Sequence, residues 1–413
     1  MEAPSPAPDW SELPADVLYS VLTLLECPDL LRSAAVCAAW HTAYSTLRRT
    51  SIYPSRQTPC LLYCTEAGGG RKALGMYSLS ERRSYATPLP KKPPITNWIG
   101  SSHGWLVTMD DKSELTLLNP ITGDAIALPP VTTLEHVKPV LDNDRVLEKY
   151  QVFYYDGEIP RVVEEDTAIW SLEKYGHMVY LKATLSCDPS VGGCIVMLIH
   201  QPYGQLSFAK VGDDHWNWFS ISSYYRDCVY HNGWFYAVTE EGATDAYNLH
   251  GPSVIHKRLL PQIIQTVSKC HVVRARSGDV LQIIRRQLLN PDHEQPGSRE
   301  WVTEIKVYRV DFDDQKCVNI KEIGDYALFI GSSTTSCLSV KDYPDLMPNH
   351  VYFTDDDDAT HIFRKDDPPE VGIYDIKNNT TVNVVHPELW MNWLPPIWLT
   401  PSLAKTDTVL LVP

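Results

Sequence analysis

The apolar residues of the first 50 positions recur at steps of three and four, a pattern typical of amphipathic helices. One helix is predicted from Pro14 to Leu25, with Pro14 in the first turn, where its missing N–H has no intrahelical partner to lose. Pro28 interrupts the pattern, and a second helix is predicted from Asp29 to about Val36. The apolar positions of a third predicted helix are Trp40, Ala43 and Leu47.

Beyond about residue 58 the period of the pattern changes to two, which is typical of strands. No long amphipathic helix is predicted between Leu61 and Val385. The clearest predicted strands are short apolar runs bounded by Gly, Pro, Asn or Asp: Leu61–Cys64, Trp105–Thr108, Leu115–Leu118, Cys194–Ile199, Trp234–Val238 and Val302–Val310. Many short strands separated by turns predict a sandwich, a barrel or a propeller.

An internal repeat favours the propeller. Ser102–Val107 resembles His231–Tyr236: each opens a strand with Gly-Trp, passes through an acidic turn and continues into a second strand. A weaker copy begins at Asn349. Trp105 and Trp234 are 129 residues apart, or three units of 43, and a four-stranded blade takes about 40–50 residues. We therefore predict a mainly β fold, a six- or seven-bladed β-propeller preceded by a small three-helix domain.

The change of period also predicts the domain boundaries. Three short helices in about 40 residues make a small core, so we expect the head to bury apolar surface against a partner. The predicted segments are a disordered tail at 1–9, the helical head at 10–50, a linker at 51–57, the propeller at 58–401, and a C-terminal tail or closing strand at 402–413.

Composition narrows the classes of function. The 413 residues include 36 Lys and Arg against 51 Asp and Glu, a formal charge of −15, and the basic residues form no stripe. This balance argues against nucleic-acid binding. The residues after Met1 lack the pattern of a signal peptide. No apolar run in the sequence is long enough to span a membrane. The ten cysteines do not have the spacing of a disulfide framework. We expect a cytoplasmic or nuclear location with no membrane partner.

No catalytic, cofactor or metal motif is found. A nucleophile elbow, a zinc-protease motif and a phosphate-binding loop are all missing from the sequence. The remaining candidates lack the required spacing or context, and they are Cys60 with Cys64, Cys187 with Cys194 and His200, Asp355–Asp358, and Gly68–Gly70.

An aromatic segment at 215–219 leaves two interpretations open. Alternation along a strand places Trp216 and Trp218 on one face. They either pack between blades or form a substrate-binding site on the propeller rim.

The head resembles an F-box. The resemblance rests on Trp10–Leu18, Asp29–Arg32 and Val36–Trp40, which follow one another at the family's spacing. Ala38 and His41 stand where basic residues are common in the family, so two positive charges that could support adaptor binding are missing.

The body resembles the plant F-box proteins that carry a C-terminal propeller of the KIB type. Ile323–Ser332 contains the family's Gly-Asp-x-x-Leu-Phe-x-Gly pattern, and Leu346–Asp355 contains its Pro-Asn-x-x-Tyr-Phe-Thr-Asp pattern.

The resemblance implies a non-catalytic substrate receptor of a Skp–cullin–F-box ubiquitin ligase. The head is expected to bind a Skp-family adaptor, and through it a cullin, while the propeller recruits a protein substrate for ubiquitination. The alternatives are a propeller enzyme, a sugar-binding propeller, or an F-box protein that regulates a partner without ubiquitination. The expected adaptor-binding residues, among which Leu31 and Val36 could equally be internal core, are Leu13, Pro14, Val17, Leu18, Leu30, Leu31, Val36 and Trp40.

Overall fold

The chain forms a small helical head and a body of β-sheets. The computed structural model describes residues 9–50, 57–67, 71–88, 94–155, 162–219, 224–261, 269–289, 301–354, 370–384 and 394–403. Its helices are α1 (Ala15–Leu22), α2 (Cys27–Ser33), α3 (Ala38–Thr50) and α4 (Leu172–Val179), and its 3₁₀ turns are Trp10–Glu12, Val131–Thr133 and Pro189–Val191. The three helices predicted for the head are confirmed.

Helix α2 begins two residues earlier than the sequence pattern predicts. Pro28 is its second residue and not a break before it. The first N–H groups of a helix have no intrahelical partner, so a proline fits there without losing a hydrogen bond. The core of the head consists of Leu18, Leu22, Cys27, Leu30, Ala43, Tyr44 and Leu47, together with Leu403 from the other end of the described chain.

The described strands form seven sheets. In hydrogen-bonding order, the first sheet contains β28 (Ile397–Leu399), β1 (Cys60–Ala67), β2 (Arg71–Ser78) and β3 (Arg83–Pro88), and the second contains β4 (Asn97–Ser102), β5 (Trp105–Met109), β6 (Leu115–Leu118) and β7 (Ala125–Ala127). The third sheet contains β10 (Val162–Ser171), β9 (Leu147–Tyr155) and β8 (Val137–Leu141). The fourth sheet contains β11 (Tyr180–Leu185), β12 (Ile195–His200), β13 (Gln205–Lys210) and β14 (Asn217–Trp218).

The other three sheets complete the body, and all six of the clearest predicted strands are found. In the same order, the fifth sheet contains β15 (Tyr225–His231), β16 (Trp234–Thr239), β17 (Thr244–Asn248) and β18 (Ile255–Leu260). The sixth sheet contains β19 (Lys269–Arg274), β20 (Val280–Leu289), β21 (Trp301–Asp311) and β22 (Lys316–Ile320). The seventh sheet contains β24 (Ser336–Ser339), β23 (Tyr326–Ile330), β25 (His350–Thr354), β26 (Val371–Asp375) and β27 (Thr380–Asn383).

The sheets close into a ring, which is the arrangement of a β-propeller. Strand β28 contacts β4, β4 contacts β11, β11 contacts β15, β15 contacts β19, and β19 contacts β24. A buried cluster that includes Leu61, Phe329 and Trp398 then joins the β23–β27 sheet to the β28–β3 sheet. Strand β12 is buried along its whole length, because a sheet in the ring has neighbours on both faces.

The three-stranded sheet β8–β10 lies outside this series of contacts. With α4 it packs on the hydrophobic cluster shared by the β4–β7 and β11–β14 sheets, while β4 and β11 contact each other directly. The number of blades, six or seven, stays a prediction.

Residues near 400 complete the sheet that starts near residue 60. Leu399 lies opposite Cys60 and Ile397 opposite Leu62 in an antiparallel pair. The strand that closes the ring therefore precedes the segment 402–413 that was predicted to be a tail or closing strand. Of that segment, only Ser402 and Leu403 are within the described residues.

The two Gly-Trp repeats are tight hairpins. His103 and Gly104 have φ of 53° and 83°, and Asn232 and Gly233 have φ of 46° and 87°. Two positive φ angles in a two-residue loop define a turn whose twist matches the flanking strands, and this favours glycine at the second position. The weaker copy at Asn349 differs, because β25 pairs with β23 in parallel and not through a hairpin.

Candidate functional sites

The head divides the eight predicted adaptor-binding residues into three groups. Leu18 and Leu30 are each 1% exposed and lie inside the helical core. Pro14, Val17 and Val36 are exposed to solvent. The partly buried residues that pack against the core are Leu13, Leu31 and Trp40. Whether any of the eight contacts an adaptor stays a prediction.

The head also exposes two large apolar residues that the sequence analysis did not select. Trp10 is 61% exposed and Leu24 is 83% exposed, alongside Val17 at 40% and Val36 at 57%. We call Trp10, Val17, Leu24 and Val36 the exposed head residues. Leu24 was missed because it falls outside the periodic apolar positions, and Trp10 because it precedes the first helix.

The 3₁₀ turn that carries Trp10 is held against α3. The indole N–H of Trp40 donates to the backbone carbonyl of Trp10 at 2.9 Å. This bond places the two tryptophans next to each other, so the N-terminal turn is part of the folded head.

Polar contacts fix the head against the propeller. The Glu26 carboxylate accepts from the hydroxyl of Thr58 at 2.5 Å and from that of Ser80 at 2.9 Å. The Gln57 side-chain oxygen accepts from the backbone N–H of Cys27 at 2.5 Å. These bonds join the start of α2 to residues just before β1 and just after β2, so the orientation of the head follows from contacts within the chain.

Trp216 and Trp218 occupy different environments. Trp216 is 5% exposed, and its indole N–H donates to the Pro129 carbonyl at 2.9 Å. Core packing, one of the two interpretations weighed for it, describes this side chain. Trp218 is half-buried, and its N–H donates to the Gln205 side chain at 3.1 Å. A role for either residue in substrate binding stays a prediction.

A buried polar cluster that the sequence analysis missed lies among the strands that contact one another around the ring. The Lys182 ammonium is 2.5 Å from an oxygen of Asp227, and His271 lies on the other oxygen at 3.5 Å. Asp227 also accepts from the Thr335 hydroxyl at 2.6 Å. Lys182 donates in addition to the Gly331 carbonyl at 3.0 Å.

The charge on Asp227 is stabilised by its neighbours. Burial by itself raises the pKa of a carboxyl, but Lys182 and His271 outweigh it and lower the pKa of Asp227 to about 2. Asp227 is therefore ionised at neutral pH. The cluster of Lys182, Asp227 and His271 ties β11, β15 and β19 to the 331–335 segment.

Metal ligation finds no support in the part of the chain that the structure describes. No group of three or more His, Cys, Asp or Glu side chains is placed to hold an ion there. The rings of His136 and His200 stack with their centroids 4.6 Å apart, and His200 bonds to Ser207 at 2.8 Å. Asp355–Asp358 and Gly68–Gly70 lie outside the described residues.

No described helix is long and apolar enough to span a membrane.

Comparison with known proteins identifies the family. Residues 76–375 match the model of the KIB1-4 beta-propeller, and residues 10–49 match the F-box-like model. The chain belongs to the KIB1-4 beta-propeller family. The predicted resemblance and the fold class, a mainly β propeller behind F-box helices, are confirmed. The exact domain boundaries stay a prediction.

Two relatives from Arabidopsis thaliana match nearly the whole chain, and a third matches part of it. F-box protein SKIP23 is 24% identical, across 97% of this chain and 98% of that protein. Putative F-box protein At5g55150 is 22% identical, across 96% and 98%. F-box/kelch-repeat protein At1g57790 is 33% identical over 123 residues, which is 29% of this chain and 32% of that protein.

Proposed function

We propose that this chain is the substrate-recognition subunit of a Skp–cullin–F-box ubiquitin ligase. In this proposal the head binds a Skp-family adaptor, the adaptor connects the chain to a cullin, and the propeller holds a protein substrate. The chain supplies proximity, and other subunits supply the transfer chemistry. The complex would act in the cytoplasm or nucleus, in keeping with ten free cysteines.

The observation that carries the proposal is the set of exposed head residues. A 41-residue head that leaves two valines, a leucine and a tryptophan in solvent gains stability when a partner covers them. Burying each large apolar side chain contributes about 1.5–3 kcal/mol. Tryptophan is also among the residues that most often dominate an interface.

The contacts between head and propeller support the second part of the proposal. A receptor promotes ubiquitin transfer by holding its substrate at a defined place, so the adaptor-binding end and the substrate-binding end need a fixed relation. The bonds of Glu26 to Thr58 and Ser80, and of Cys27 to Gln57, provide such a connection.

Charge substitutions test the adaptor surface. We expect Val17→Asp with Val36→Asp to abolish co-purification of the Skp adaptor, because a carboxylate in an apolar interface is left without solvent. Val191→Asp, at a valine that is 74% exposed on the propeller, is the matched control and should bind normally. Undiminished capture by the double variant, with the head still folded, would show that adaptor binding does not use these residues.

A second experiment separates ubiquitination from binding alone. Proteins captured by the intact chain and by the Val17→Asp, Val36→Asp variant are compared in plant cells with the proteasome blocked. A substrate should bind both but accumulate ubiquitin only with the intact chain. Partners that bind both without gaining ubiquitin would favour an F-box protein that regulates a partner without ubiquitination.

A further inference from the structure

Two free cysteines face each other where β11 ends and β12 begins. These strands are antiparallel, and the backbone N–H of Ser186 donates to the Ile195 carbonyl at 2.9 Å, one position beyond their last pair. The next position in the same register places Cys187 opposite Cys194, and the Cys194 thiol donates to the Cys187 carbonyl at 3.1 Å. Opposite residues of such a pair have α-carbons about 4.5–5.5 Å apart. A disulfide spans about 4.4–6.8 Å, so the two sulfurs can join without a rearrangement of the strands.

The loop between the two cysteines is short and held in place. The Asp188 carboxylate accepts from the backbone N–H of Ser190 at 2.9 Å and from the indole N–H of Trp105 at 3.0 Å. Gly192 and Gly193, with φ of 77° and 67°, then turn the chain back towards β12. The approach of the two cysteines is therefore fixed by the fold.

The two sulfurs differ in their access to solvent. Cys194 is 0% exposed, whereas Cys187 is partly exposed. A small oxidant from solvent therefore reaches Cys187 first, and Cys194 lies behind it. Reactive cysteine pairs commonly combine an accessible thiolate with a second cysteine that resolves the oxidised product.

Neighbouring groups stabilise the thiolate of Cys187. The hydrogen bond with Cys194 lowers the pKa of Cys187 to about 6, and the Ser186 hydroxyl, 3.8 Å from the sulfur, adds to this effect. Burial and the charge of Asp188 oppose it. The Ser186 hydroxyl accepts from the N–H of Ile195 at 2.8 Å, which leaves its proton for the sulfur. The thiolate is the form of cysteine that attacks oxidants.

Other titratable groups nearby do not oppose this charge at neutral pH. Tyr230 of β15 has a pKa raised mainly by burial, and a charge on either sulfur adds to that shift, so Tyr230 stays neutral. Two other partly exposed cysteines lack such stabilisation, because burial raises the pKa of Cys317 to about 11 and that of Cys337 to about 12.

We propose that Cys187 and Cys194 are a peroxide-reactive pair that forms a reversible disulfide. The Cys187 thiolate attacks one oxygen of hydrogen peroxide, the O–O bond breaks, and Cys187 becomes a sulfenic acid while the leaving hydroxide takes up a proton as water. The Cys194 sulfur then attacks the Cys187 sulfur, and its proton leaves with the hydroxide as a second water. Two thiols lose two electrons and two protons in all, and one peroxide becomes two waters. A thiol reductant reverses the reaction.

Mass spectrometry of the full chain tests the disulfide without any variant. Residues 183–210 form one tryptic peptide that contains these two cysteines and no other. After treatment with a small molar excess of hydrogen peroxide at neutral pH, we expect this peptide to be lighter by two hydrogen atoms and to resist alkylation. Dithiothreitol should restore both alkylation sites. A peptide that is still alkylated at both cysteines after peroxide would overturn the proposal.

Variants separate the two steps. Cys194→Ser keeps a donor beside Cys187 but removes the second sulfur, so the reaction should stop at a sulfenic acid on Cys187 that dimedone traps. Cys187→Ser should leave Cys194 as an alkylatable thiol. The matched control is Cys337→Ser, at a partly exposed cysteine in another sheet, which should form the disulfide as the unchanged chain does. A dimedone adduct on Cys194 and none on Cys187 would overturn the assigned order.

The pH dependence of alkylation checks the attacking group. Iodoacetamide labelling of Cys187 should rise with pH around a midpoint near its pKa of about 6. A midpoint near about 8.5, the value of an ordinary cysteine, would show that Cys187 is not the stabilised thiolate. These measurements do not involve adaptor binding or ubiquitination, so their failure is distinguishable from failure of the proposed function.

Discussion

The head and the propeller differ in the size of the core that encloses their side chains. The head leaves Trp10, Val17, Leu24 and Val36 in solvent. The propeller instead buries charged groups, with Lys182 and Asp227 almost fully enclosed. Each sheet of the ring packs against neighbouring sheets, and the propeller still exposes scattered apolar residues such as Val191, whereas three short helices have only a small core with which to cover their apolar residues. The comparison is the reason for the proposal that a partner covers the exposed head residues.

The head is nevertheless not independent of the propeller. Leu403 contributes to its core, and Ile121 packs against that core from the loop after β6. With the bonds of Glu26 to Thr58 and Ser80, these contacts give the head support that its own helices do not provide.

The largest expected effect lies in the propeller. Asp227→Ala leaves the Lys182 ammonium buried without its counterion, and we expect the free energy of unfolding to fall by about 3–5 kcal/mol in urea titrations. Replacing both residues, Lys182→Met with Asp227→Leu, should recover most of the loss. Because the pKa of Asp227 is lowered to about 2, its contribution is present above about pH 4 and is lost as the pH falls towards 2. A loss below 1 kcal/mol for Asp227→Ala would mean that the cluster contributes little.

The second-largest expected effect is a loss of folding stability in acid. Burial lowers the pKa of His200 to about 4 and that of His136 well below its ordinary value. The unfolded chain therefore binds more protons between about pH 6.5 and 4, and stability falls as the pH falls through that window. For His200 alone we expect a loss of about 2 kcal/mol at pH 5, measured by thermal unfolding against pH.

The control for this pH dependence is a histidine in solvent. His200→Gln should flatten the dependence, while His41→Gln, at an exposed position, should leave it unchanged. An equally steep dependence in His200→Gln would assign the effect to other groups.

The smallest expected effect is at the junction. Glu26→Ala removes the acceptor for Thr58 and Ser80, and we expect the head to lose about 1–2 kcal/mol of stability. Hydrogen exchange should quicken in α1–α3 while the propeller strands keep their protection, and Glu12→Ala, exposed in the head, serves as the control. Faster exchange in both regions would mean that head and propeller unfold as one unit.

Local sequence patterns predicted the three head helices and six of the described strands. Turns with two positive φ angles depend on one or two residues, so the hairpins at Gly104 and Gly233 are visible as Gly-Trp motifs. The boundary of α2 was wrong by two residues, because Pro28 fits a first turn as well as it breaks a helix.

The polar cluster was not predicted, although the chain contains a signal for it. Lys182, Asp227 and His271 are each the third residue of an otherwise mostly buried strand, and they follow one another at intervals of 45 and 44 residues. That interval is close to the repeat of 43 inferred from the tryptophans. Ionisable residues at equivalent places in successive repeats would have suggested a shared position on the ring axis.

Side-chain periodicity, turn chemistry and repeat length are local properties, and they are enough to predict helices followed by a propeller. They do not distinguish Leu18, inside the head, from Val17, in solvent, because neighbouring apolar residues differ only in what packs on them. Nor do they predict the ion pair of Lys182 and Asp227, which lie in two different sheets. Burial and ion pairing depend on residues far apart in the chain, and these meet only when the ring closes.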